Sequence, residues 1–256
     1  MFKFIRVVIL LAILFVVASN TILSKSRAAD WSRTLHVSIY PGLAPGNTSA
    51  ESGRYLQQLK PRTFKSIETY FIRELKRYGV SSERPVAITL HPPISSSPPL
   101  IAEGANRLQI AIWSLKLRYW AWRTSAASDG VPGDIQIYVN YHRPGGQQLL
   151  ERSTALAKGQ IGVVNVRASR SRNAANNVII THELLHTLGA SDKYDLRSGQ
   201  PHDPEGLADP ESKPLYPQRN AEIMAGRIAI SKTRWKNPAN IGQTVIGRKT
   251  AEEIGL

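Results

Sequence analysis

The sequence predicts an α/β fold in which a mixed, mostly parallel twisted sheet carries helices packed against it. Strand-like and helix-like segments alternate through the first half of the chain, a hairpin-like pair follows, and a long apolar helix comes next. The chain has 256 residues, 42% apolar and 20% charged, which is enough to bury the core of such a sheet. This composition excludes a disordered, collagen-like or multi-span membrane protein. There is no cysteine, so disulfide scaffolds, thiol nucleophiles and Cys-ligated zinc are excluded as well.

The elements follow in order. Thr34–Tyr40 alternates as a strand does and is expected to end at Pro41-Gly42. Phe64, Ile67, Phe71, Leu75 and Tyr78, spaced by three and four, predict a helix that begins near Pro61 and stops at Gly79. Pro85–Leu90 reads as a second strand, and the proline- and serine-rich run His91–Leu100 as a loop. Leu108, Ile112, Leu115, Tyr119 and Trp122 mark one face of a further helix, with Lys116, Arg118 and Arg123 on the other. That face is expected to be core and the cations a solvated surface; nucleic-acid or membrane binding is the alternative. Asp134–Tyr141 is a third strand. Leu149–Ala157 and Ile161–Ala168 read as a hairpin turning at Lys158-Gly159-Gln160. Asn173–Leu188 is the strongest helix, five prolines keep Ala190–Asn220 irregular, and Thr250–Leu256 closes the chain as a short helix.

Residues 1–29 stand apart from the domain expected over residues 30–256. Lys3 and Arg6 precede an unbroken apolar run, Val7–Ala18, the layout of an export signal with a cleavage site after Ala18. Read through to Leu23, residues 5–23 also reach the lower limit for spanning a bilayer. Signal peptide and inner-membrane anchor both remain open, and each places the rest of the chain outside the cytoplasm, periplasmic or secreted. The formal charge of +14 points to anionic surfaces such as acidic lipid or wall polymer. Nucleic acid is disfavoured: Lys60, Arg73, Arg118, Arg170 and Arg234 are scattered, with no compact basic run.

The chemistry concentrates in His182-Glu183-Leu184-Leu185-His186. Two imidazoles at i and i+4 lie on one helix face one turn apart, where they can share a metal ion, and Glu183 beside the first can act as general base. Two histidines on a solvated face are the plain alternative. The run continues through Thr187-Leu188-Gly189 to Asp192. Gly189 supplies the left-handed residue that a sharp helix stop requires, and Asp192 can then fold back as a third ligand. Two histidines and one carboxylate leave the fourth position of a tetrahedral zinc open, the catalytic arrangement. Glu205, Glu211 and Glu222 are the rival third ligands. The prolines around the first two, and the tight turn expected at Glu222, argue against a helix that would aim them at the metal. The six acids from Asp192 to Glu211 either hold calcium or, as expected, form turns and salt bridges.

The stretch His182–Asp192, H-E-x-x-H-x-x-G-x-x-D, resembles the zinc motif of the metzincin metallopeptidases, and its aspartate ligand resembles the snapalysin-type minority of that clan. The resemblance implies a zincin-like catalytic domain whose antiparallel edge strand, expected at Leu149–Ala157, binds substrate. It also implies a packed active-site helix and an irregular C-terminal subdomain with a methionine turn. Met224 is the candidate for that turn, with an ordinary core methionine as the alternative. The implied ligands of Zn2+ are His182, His186 and Asp192, and the implied activity is hydrolysis of protein or peptide substrates with Glu183 as general base. No tyrosine stands two residues after Met224, where several subfamilies have one, which leaves Tyr194 as the nearest candidate to stabilise the transition state. A membrane-associated binding protein with a structural or inactive metal site is the alternative function. Oligomeric state is not readable from the sequence.

Overall fold

The computed structural model describes residues 30–101, 104–128, 130–145, 153–156 and 160–256. The signal or anchor segment, the turn residues 158–159 and residues 149–152 and 157 of the expected edge strand lie outside that set. Five strands form the central sheet: β1 (Leu35–Leu43), β2 (Val86–Leu90), β3 (Ile135–His142), β4 (Thr154–Leu156) and β5 (Ile161–Arg167), in the order β2-β1-β3-β5-β4. β2, β1, β3 and β5 run parallel, with Val37 opposite Ile135 and Tyr138 opposite Val163. β4 is antiparallel to β5 and forms an edge, with Thr154 opposite Val163 and Leu156 opposite Ile161. The fold is therefore mixed α/β with a mostly parallel sheet.

β1 does not end at Pro41-Gly42. Its register runs on to Leu43 opposite Tyr141. The carbonyls of Ile39 and Pro41 both accept from the β2 side, from the N–H groups of His91 (2.9 Å) and Ile94 (2.8 Å). The N–H that Pro41 lacks would face that same side, where β2 has already ended, so the proline costs the ladder little.

Strand alternation sorts the core into two layers. On one face, Val37, Ile39, Ile137 and Val164 meet Ile67, Phe71 and Leu75 of α2 (Lys65–Arg77) and Ile180, Leu184 and Leu185 of α4 (Asn173–Leu188). Before α2 come α1 (Ala50–Gln57), capped by Ser49, and a 3-10 turn at Pro61–Phe64. On the other face, Tyr40, Tyr138, Ile161 and Val163 lie under Trp113, Leu117 and Ala121 of α3 (Arg107–Ala126).

That packing reverses the expectation for α3. Leu108, Ile112, Leu115, Tyr119 and Trp122 are 45–68% exposed, while Trp113, Leu117 and Ala121 are buried. α3 is apolar on both sides, so period alone could not choose. The narrower side wins because Ala121 lets the helix come close: its carbonyl accepts from the Tyr138 hydroxyl (3.0 Å), and Trp113 Nε1 donates to the Pro99 carbonyl (2.8 Å).

The last quarter of the chain is built from bends and two-residue pairings, Ala221–Glu222 with Thr244–Val245 and Ile228–Ala229 with Trp235–Lys236. No regular helix or strand occupies Ala190–Asn220, as its prolines require. α5 (Arg248–Glu253) begins two residues and ends three residues before the expected Thr250–Leu256, and Trp31 Nε1 donates to the Ile254 carbonyl behind it (2.9 Å).

Candidate metal centre

α4 lies over Gly162 of β5, where a Cβ would meet Thr187 Cγ2 of the helix at 3.7 Å and where Ile137 Cδ1 of β3 already fills the space, 2.7 Å from that position. Its register is fixed by buried amides. Asn176 Nδ2 donates to the Arg167 carbonyl (2.9 Å) and Asn177 Nδ2 to the Thr63 carbonyl (2.8 Å). These contacts leave one face of the helix looking into an open cleft of about 570 Å³, lined by His182, Glu183 and His186. Ile179 is only partly buried and also lines the cleft.

The helix stops where the glycine stands. Gly189 has φ +108°, its N–H donates to His186 O (3.1 Å), and Ala190 N–H donates to Leu185 O (3.1 Å). The chain then reverses and is pinned at two points. Ser191 N and Oγ donate to the Glu253 carboxylate (2.9 and 2.8 Å), as does the buried Lys193 ammonium (2.8 Å). Lys193 N–H donates to Met224 O (3.1 Å). Asp192 is held between these anchors.

Asp192 Oδ1 lies 3.1 Å from His182 Nε2 and 3.2 Å from His186 Nε2. The other ring nitrogens face carbonyls: His182 Nδ1 is 3.0 Å from Ile223 O and His186 Nδ1 is 2.7 Å from Ala190 O. A carbonyl can only accept, so both Nδ1 atoms carry the proton. Each neutral ring then turns an Nε2 lone pair toward the same carboxylate oxygen. Only a second proton on the ring or a cation between the groups accommodates that convergence. Ligands roughly 2.0–2.1 Å from one tetrahedral zinc sit about 3.3 Å apart, close to the spacings found. Among the described residues these three form the one His/Cys/Asp/Glu group spaced to hold a metal ion.

The electrostatics agree. Burial opposes a charged His182, but the hydrogen bond to Asp192, the charge of Glu183 and the Ile223 carbonyl outweigh it and raise its pKa. Burial likewise opposes an ionised Asp192, yet the two imidazoles hold it far below the usual carboxylate range.

Met224 is fully buried in a tight turn, in which the N–H groups of Ala225 and Gly226 both donate to Glu222 O. Through Ile223 O and Met224 O this turn supports His182 and the segment that bears Asp192. The Glu222 carboxylate points elsewhere, accepting from Thr250 Oγ1 (2.7 Å), Ala225 N (2.8 Å) and Gly247 N (3.2 Å). Burial, partly offset by those bonds, raises its pKa. Glu205 and Glu211 line a different groove with Arg248 and Lys249. Asp195 caps a turn, accepting from Ser198 N (2.7 Å) and Arg197 N (3.1 Å).

Glu183 is buried beside His182 and lines the cleft. Tyr194 lines it too, with its ring stacked on Arg227. Arg227 is a cleft residue that the sequence did not reveal. Its guanidinium lies 4.3 Å from the Tyr194 ring centre and 4.6 Å from that of Trp235, and Nη1 donates to Ala225 O (3.3 Å). Only its place three residues after Met224 could have marked it. Ser153, leading into β4, forms another part of the wall. No known protein family matches the chain, and no curated protein matches it.

Proposed function

We propose that the chain is a zinc-dependent endopeptidase of metzincin type, exported from the cytoplasm and acting on protein or peptide substrates. The observation that carries this reading is the convergence of His182 Nε2, His186 Nε2 and Asp192 Oδ1 beside Glu183 in an open cleft. Three further features support the clan: the left-handed stop at Gly189, the antiparallel edge strand β4 beside the cleft, and the buried Met224 turn beneath the histidines.

His182, His186 and Asp192 would hold Zn2+, which when bound supplies a Lewis acid that polarises a scissile carbonyl and makes water more acidic. The chain's own residues do the rest. The carbonyls of Ile223 and Ala190 keep each imidazole in the tautomer that leaves Nε2 unprotonated. Glu183 takes a proton from the attacking water and passes it to the leaving amine. β4, an edge of the sheet among the described residues, can align an extended peptide by strand addition. Tyr194 and Arg227 offer further polar groups within the cleft.

Metal analysis of the purified chain, paired with cleavage of a broad peptide library, tests the proposal. About one zinc per chain is expected, and Glu183→Gln should retain the metal while losing activity by about 10²–10⁴-fold. A Glu183→Gln variant that keeps most of its activity would refute the mechanism.

A further inference from the structure

We infer that the outer face of α3 is a docking surface for an anionic lipid bilayer. Leu108, Ile112, Leu115, Tyr119 and Trp122 are large, apolar and at least 45% exposed. At about 100° per residue they fall within an arc of about 80°, and they extend for about 21 Å along the helix. Exposed Lys116 and Arg123 flank this stripe on one side and exposed Arg107 on the other, where Arg118 is only partly exposed. Across its 20 residues α3 has four cations and no acid.

The pattern is that of a helix lying in the plane of a membrane interface. Apolar side chains enter the acyl boundary, Tyr and Trp sit at headgroup level, and cations reach outward to lipid phosphates. α3 is not a span, since no described helix is long and apolar enough to cross a membrane. It packs on the face of the sheet opposite α4, so a bilayer against it leaves the cleft facing water.

Charge separates lipid from the other occupants. In a two-fold pairing of copies, each stripe would bring its cations against an identical set. Residues 1–29 of the same chain carry Lys3, Arg6, Lys25 and Arg27 and no acid, so that segment meets the same repulsion. A soluble anionic polymer satisfies the cations but gives the apolar stripe nothing to enter. An anionic bilayer satisfies both. The inference is independent of the metal centre.

The chain has no cysteine, so one introduced thiol can be labelled alone. In the full chain, Leu115→Cys and, as a distant exposed control, Leu196→Cys are labelled with a polarity-sensitive fluorophore and mixed with vesicles. On phosphatidylglycerol-containing vesicles the label at 115 should shift to the blue and brighten severalfold. On pure phosphatidylcholine it should change little, and the label at 196 should change on neither. Adding Lys116→Glu and Arg123→Glu to the Leu115→Cys chain should weaken the response about tenfold or more. The inference is overturned if the chain sediments with vesicles while the label at 115 stays unmoved, which would assign binding to residues 1–29. It is also overturned if that label responds to protein concentration without lipid, the signature of self-association, or responds equally to a soluble anionic polymer.

Discussion

Asp192 Oδ1 lies 3.1 Å from His182 Nε2, although ten residues and a complete chain reversal separate them. The contact depends on Gly189, on the Ser191 and Lys193 anchors to Glu253, and on the Met224 carbonyl that accepts from Lys193 N–H. Each of these can be tested separately.

Asp192→Ala should lower zinc affinity by more than about 100-fold, since losing a group that merely supports a ligand already costs 10–100-fold. Asp192→His should restore much of it, because an imidazole fills the same coordination position. Glu205→Ala and Glu211→Ala should leave zinc content unchanged. The check is a zinc titration across the four variants, and wild-type binding by Asp192→Ala would remove Asp192 from the ligand set.

Glu222→Ala should separate stability from metal binding. It removes the acceptor of buried Thr250 Oγ1 and of part-buried Gly247 N–H, at a cost of about 1–3 kcal/mol for each group left unpaired, while the Ala225 N–H keeps the Glu222 backbone carbonyl. Denaturant unfolding should show the loss, while zinc bound per folded chain stays near one. Loss of the metal from well-folded protein would make Glu222 a ligand after all.

Gly189→Ala should destabilise the chain by about 1–2 kcal/mol, the strain of a left-handed backbone in an L-residue. Space is not the obstacle, since a Cβ would meet Glu253 O at an ordinary 3.5 Å. Thermal unfolding reads the stability, and zinc affinity should fall with it because the turn delivers Asp192. An unchanged midpoint would show that the turn relaxes freely.

Glu253 sets a dependence on acid. Burial works against its charge, but the hydrogen bonds from Lys193 and Ser191 prevail and hold its pKa below the ordinary 4.5. The unfolded chain therefore takes up a proton first as pH falls. The stabilisation is complete above about pH 4.5 and is lost as pH drops toward the lower folded value. Glu253→Gln should flatten that acid limb in pH-dependent unfolding. At neutral pH it should cost about 2–3 kcal/mol, less than a fully buried pair because Glu253 is part exposed while Lys193 is not. An acid limb that persists in Glu253→Gln would place its origin in another carboxylate.

Local chemistry carried much of this into the sequence. Helix α4 runs from Asn173 to Leu188 as its pattern predicts, and Gly189 ends it in the left-handed conformation that glycine adopts at low cost. Spacing along one helix put His182, Glu183 and His186 within one turn, and proline density kept the stretch after Ala190 irregular. These are short-range effects, set by residues within a few positions of one another. Which side of α3 faces the sheet was decided elsewhere, because both sides are apolar and only close approach to Tyr40 and Tyr138 separates them. β1 could continue through Pro41 only because β2 had already ended beside it. Asp192, rather than Glu222, reaches the histidines because Glu253 and the Met224 carbonyl anchor the residues around it, while Thr250 and Gly247 hold Glu222 away. Arg227 joins the cleft by stacking on Tyr194 and Trp235. Each of these outcomes depends on groups brought together from distant parts of the chain, and periodicity, which reports a residue's own neighbourhood, cannot supply that information.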